Sequence, residues 1–120
     1  MEKRVVVAVD EIFFAAKIRT AAEHLGIEIV FPRSLESLIE SAIQSAPALV
    51  IVDLHLQRYD PFLIALDLKA NEALREIPLV GFFSHVQTEL HGRAVAAGFD
   101  RVMPRSAFSK RLPEILQGQL

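Results

Sequence analysis

The sequence predicts a doubly wound, parallel α/β fold, and three observations carry that expectation. Short aliphatic runs too uniformly apolar for one wet face alternate with amphipathic stretches of helical period. Each is punctuated by glycine, proline or a capping residue, and two of the runs end in carboxylates. With 120 residues, one domain over 1–120 is expected, large enough to bury roughly two thirds of its unfolded surface.

The chain can be taken in order. Residues 4–9 (R-V-V-V-A-V) read as a first, internal strand with Asp10 and Glu11 at its exit. Phe14, Ile18, Ala21, Ala22 and Leu25 then mark one face of a helix closed by Gly26. Ile27–Phe31 make a second strand. Ser34 is an N-cap for a helix whose apolar positions Leu35, Leu38, Ile39, Ala42, Ile43 and Ala46 run up to Pro47. Five aliphatic residues, Ala48–Val52, lead into Asp53 as a third, fully buried strand. Asp60 and Pro61 start a helix from Phe62 to Ala70. Pro78 introduces a fourth strand, Leu79–Phe83, followed by a helix over Gln87–Ala97 that Gly98 ends. Arg101–Met103 form a fifth strand. Phe108, Leu112, Ile115 and Leu116 suggest a final helix, in which Pro113 requires a late start or a kink near Lys110.

Five strands interleaved with helices give a flavodoxin-like sheet of order 2-1-3-4-5 with helices on both faces. That order brings the exits of strands one and three, hence Asp10 and Asp53, into one crevice at the carboxyl edge, where ligands bind in such sheets.

Composition excludes several classes. The chain is 52% hydrophobic, but its apolar runs are strand-length, so no membrane span is expected. No signal-peptide pattern opens it, and the absence of cysteine removes disulfides and thiolate chemistry. A cytoplasmic setting fits. A net charge of −2 without a clustered basic face argues against nucleic-acid binding.

The residues resemble the receiver domain of response regulators, of the chemotaxis-regulator type, over nearly the whole length. The resemblance rests on V-D-E at 9–11, V-D-L at 52–54, the ungapped D-L-H-L-Q-R-Y-D-P-F at 53–62, and G-F-D-R-V-M-P-R at 98–105. It implies that Asp53 is the phosphoacceptor. It also implies that Asp10, Asp53 and the backbone carbonyl at His55 hold Mg2+, with Glu11 a further candidate. It further implies a protein partner, a histidine kinase or a downstream signalling protein, which meets the face of the fourth helix, fifth strand and last helix. Self-association stays open, and no enzymatic activity is implied beyond self-phosphorylation and dephosphorylation at Asp53.

Departures from the pattern point to a degenerate receiver. Val9 stands where the first of two acids belongs, which weakens the magnesium site. Phe83 replaces a Ser/Thr hydroxyl, and Ser84 substitutes only if the strand has already ended there. Arg105 stands at the lysine position without the following proline, and a planar guanidinium is not equivalent to a compact ammonium. Val102 replaces the usual switch aromatic, and Gln57-Arg58 replaces proline-glycine. With an apolar crevice, burial is expected to raise the pKa of Asp53.

Other readings of these residues are weaker. D-L-H-L-Q-R resembles the D-x-H-x-x-G loop of cobalamin-binding domains, but Arg58 occupies the glycine position and the strand context is wrong. His55 is therefore expected to face solvent, and His24, His85 and His91 are scattered without metal-ligand spacing. Asp10 is also a natural N-cap for the first helix. Phe13, Phe62, Phe82 and Phe83 are expected to serve packing.

Overall fold

A computed structural model of the protein describes residues 3–84 and 88–120. Its core is a five-stranded, all-parallel sheet of order β2-β1-β3-β4-β5, as expected. The strands are β1 (Arg4–Ala8), β2 (Glu28–Val30), β3 (Leu49–Asp53), β4 (Leu79–Phe83) and β5 (Arg101–Pro104). The helices are α1 (Ile12–His24), α2 (Leu35–Gln44), α3 (Pro61–Ala70), α4 (Thr88–Ala97), α5 (Arg105–Lys110) and α6 (Leu112–Leu116). Among the described residues, no helix is long and apolar enough to cross a membrane.

β1, β3 and β4 are buried along almost their whole length, which is why they read as unbroken aliphatic runs. Alternation along them divides the core in two. Val6, Ala8, Val50, Val52, Leu79 and Phe83 pack under α2, α3 and α4. Val5, Val7, Leu49, Ile51, Val80 and Phe82 pack under α1, α5 and α6. Gly81 sits mid-strand for a steric reason: a Cβ there would lie 2.9 Å from the Phe99 ring and 3.1 Å from Leu54.

Caps set most helix limits. Ser34 and Ser37 form a reciprocal box at the start of α2. The Asp60 carboxylate accepts from Phe62 N at 2.8 Å, with Pro61 in the first turn. Gly26 adopts φ +68° and Gly98 φ +118°, conformations in which any side chain is strained, and these close α1 and α4.

Several limits differ from expectation. β1 ends at Ala8 and β2 covers only Glu28–Val30. α2 stops at Gln44, where Ser45 turns extended ahead of Ala46 and Pro47. Residue 87, the expected start of α4, lies outside the described residues. The last helix starts early, directly at Arg105, and breaks at Arg111 into α5 and α6, two residues ahead of Pro113. Proline at the second position of α6 needs no amide donor, so a kink near Lys110 resolves the conflict.

Candidate functional site

The carboxyl edge of β1 and β3 gathers the candidate residues. β1 and β3 pair with Ala8 opposite Val52, so Asp10 and Asp53 leave the sheet side by side. Asp53 is 8% exposed and is the one buried charged residue among those described. Its Oδ1 accepts from His55 N at 2.8 Å. Burial pushes its carboxyl pKa up, the nearby Asp10 carboxylate adds to this, and the His55 amide and the His55 and Arg105 charges only partly offset it. The expected desolvation of Asp53 is thus present. The register partner of Asp53 on β4 is, however, Phe82 rather than Phe83. Phe83 packs on the α4 side, its ring 6.2 Å from that of His91.

Asp10 is not the N-cap of α1, as the sequence allowed. Its Oδ2 accepts from Gln57 N at 2.9 Å and Arg58 N at 3.1 Å, and Arg58 Nε lies 3.8 Å from Oδ1. The substitution of proline by Gln57 makes this possible, because proline has no amide hydrogen to donate. The signal was in the sequence, but only the loop geometry gives it a use. Glu11 is the cap instead, its two oxygens accepting from Phe13 N at 3.0 Å and Phe14 N at 2.7 Å.

Glu11 also ties down Arg105, whose guanidinium donates to Oε2 at 3.1 Å. The Arg105 Cζ stacks 4.0 Å from the centroid of the Phe14 ring. Desolvation raises the pKa of the Glu11 carboxyl, but the Phe14 and Phe13 amides and Arg105 together outweigh it and hold it below the usual value. Arg105 is therefore committed to the start of α1.

The remaining candidates are placed as follows. Ser84 is exposed in a bend beyond β4, so the strand has indeed ended before it. Val102 is half-buried against the α4-side core. His55 is half-buried rather than solvent-facing, and its carbonyl accepts from Gln57 Nε2 at a long 3.4 Å. His85 lies outside the described residues. Phe82 is fully buried, Phe62 is partly buried beneath the Arg93 guanidinium at 4.2 Å, and Phe13, expected to pack, is 83% exposed.

These donors do not fit a magnesium site. A hydrated magnesium ion needs carboxylate oxygens free to face it. One expected acid is Val9, Asp10 is spent on two loop amides and Arg58, and Glu11 on the cap and Arg105. Burial raises the pKa of the Asp53 carboxyl and so disfavours its charged form. Among the described residues, no group of three His, Asp or Glu side chains is placed to hold a metal.

Sequence reasoning missed Tyr59. Its hydroxyl donates to Pro32 O at 2.9 Å, fastening the loop after β3 to the exit of β2. Burial, with Asp10 nearby, pushes its pKa up to about 12. Tyr59→Phe is expected to cost about 1 kcal/mol in urea unfolding while leaving secondary structure intact; an unchanged midpoint would mean the bond is not formed in solution.

The fold, with an acid at the end of β3, is similar to that of response-regulator receiver domains. No family model matches the chain, and no curated protein matches its sequence. Solved structures do. The chemotaxis response regulator CheY4 of Vibrio cholerae superposes with TM-score 0.83 at 14% identity, each chain covered in full. The receiver domain of NtrX from Brucella abortus gives 0.80 at 22% identity, with 98% of each chain covered. The Mn2+-bound form of the response regulator Rcp1 gives 0.77 at 18%, covering 97% of this chain and 90% of that one.

Proposed function

We propose that the protein is a receiver-type signalling module that works by binding a protein partner, with little or no dependence on phosphorylation of Asp53. The observation that carries this reading is the engagement of Asp10 by the Gln57 and Arg58 amides. A carboxylate is a weak nucleophile toward a phosphoryl donor, and transfer needs a hard cation and fixed donors to neutralise the transferring oxygens. Here the cation's ligands are engaged internally, Arg105 is held by Glu11, and Phe83 offers no hydroxyl. Magnesium binding is correspondingly weak.

The partner is a histidine kinase or a downstream signalling protein, and the module is not an enzyme in its own right. The α4–β5–α5 surface is the docking face that the family resemblance implies. Ile12 and Phe13, at 79% and 83% exposure the most exposed large apolar side chains described, lie instead beside Asp10 and Glu11, where a partner approaching Asp53 meets them. A cytoplasmic location follows from this role.

The competing reading is a working phosphoacceptor, favoured by the retention of Asp53 at the sheet edge within electrostatic reach of Arg105. Magnesium with beryllofluoride separates the two. The amide spectrum of the protein is expected to stay unchanged at millimolar concentrations of both. Saturable shifts centred on Asp53 and Arg105, abolished in Asp53→Ala, would establish the phosphoacceptor and overturn the proposal.

A further inference from the structure

A cleft that shares Asp10 and Arg58 with the candidate site opens between α1, the exit of β2 and the loop after β3, with a volume of about 650 Å³. That is within the size range of small-molecule sites, roughly 300–1,000 Å³. Arg19, Arg33 and Arg58 line it, against the single carboxylate of Asp10, in a chain whose net charge is −2. Positive charge is therefore concentrated here against the sign of the whole molecule.

The three guanidiniums are committed to different degrees, Arg58 being ion-paired to Asp10 and Arg19 stacked on Phe31. Arg33 makes no ion pair or side-chain hydrogen bond among the described residues, and Arg58 reaches Asp10 only at 3.8 Å. Arg19 lies with Cζ 4.8 Å from the centroid of the Phe31 ring, a stacking contact that leaves the edge of its fork available. Between the arginines the lining is apolar, including Ile29 and Phe31. Tyr59, bonded to Pro32 O, holds two walls of the cleft in fixed relation.

We infer that this cleft binds a small phosphomonoester whose remaining part is flat and apolar, as in a nucleoside monophosphate. Planar guanidinium forks match the several acceptor oxygens of a phosphate, and each charge-assisted pair is stronger than a neutral one. With Arg19 over the Phe31 ring, Ile29, Val30 and Pro32 supply the surface for the ring. The Asp53 carboxylate takes no part, but Asp10 and Arg58 are shared with the proposed function, so the test reads AMP binding directly and does not depend on the response to beryllofluoride.

Titration of the whole protein with AMP, followed by amide NMR, tests it, with adenosine and inorganic phosphate as separate arms. AMP is expected to give saturable shifts confined to Asp10, Arg19, residues 29–33 and Arg58, phosphate to bind at least about tenfold more weakly, and adenosine not to saturate. Arg33→Ala and Arg58→Ala, both at exposed positions, are each expected to weaken AMP about tenfold. Arg101→Ala, exposed on the opposite edge of the sheet, should leave it unchanged. The inference is overturned by no saturation at millimolar AMP, by shifts that map elsewhere, or by affinity that survives in the Arg33→Ala/Arg58→Ala double variant while its spectrum remains that of a folded protein.

Discussion

Phe82→Ala is expected to remove about 3–5 kcal/mol of stability, a large share of the roughly 5–15 kcal/mol available to a domain of this size. Phe82 is fully buried at the end of β4, its ring centroid 4.7 Å from Phe108 in a stacked arrangement and 5.1 Å from Phe14 in a tilted one. Truncation leaves a cavity beneath α1 and α5 and strips both remaining rings of a partner. Its consequences extend to the site, because Phe14 is the ring on which Arg105 stacks. Urea unfolding monitored by circular dichroism gives the stability change. Phe82→Leu, which refills most of the volume, should recover more than half of the loss. A cost below about 1.5 kcal/mol for the alanine variant would show that the three-ring cluster is not packed as described.

Asp53→Asn is expected to stabilise the protein at pH 7, on the order of 1–2 kcal/mol. Asparagine keeps an acceptor for the His55 amide while removing a charge that burial disfavours. The sign follows from linkage. A folded-state carboxyl whose pKa is raised holds more protons than the unfolded chain, so stability falls as pH rises from the ordinary carboxylate range through the raised value. The wild-type penalty is fully present above that value and absent well below the unfolded one. The gain of Asp53→Asn should therefore shrink on acidification and vanish near pH 3. A gain independent of pH would trace to packing, and a loss at pH 7 would mean that the carboxylate is well solvated. The same experiment bears on function, since a carboxyl that resists ionisation is a poorer nucleophile and metal ligand.

The engagement of Asp10 connects these results to the proposed role. The loop after β3 lies beside Asp53 at the carboxyl edge of the sheet. Here its amides already hold a carboxylate from the β1 exit, and Tyr59 fastens the same loop to β2. The edge of the sheet is cross-linked without a cation or phosphoryl group.

What the sequence by itself determined is the part governed by local and periodic rules. Strand order, the core faces, the cap at Ser34, the Asp60-Pro61 start of α3 and the break forced by Pro113 follow from hydrophobic period, proline stereochemistry and side-chain caps, all short-range. The position of Asp53 at the end of a buried strand, and its adjacency to Asp10, follow from the right-handed crossover rule acting on that pattern. Only the tertiary structure decided where the polar side chains spend their hydrogen bonds. Asp10 and Glu11 are consecutive acids at a helix start, and either satisfies the local requirement for a cap. The choice is made by partners 47 and 94 residues away, the Gln57 amide and the Arg105 guanidinium. Helix phase had already put Phe14 on the apolar face of α1, at 5% exposure, but only the packed structure shows that nothing among the described residues covers Phe13, at 83%. Charge pairing and burial depend on contacts that no local window contains, which is why the chain's architecture was readable from end to end while the state of its site was not.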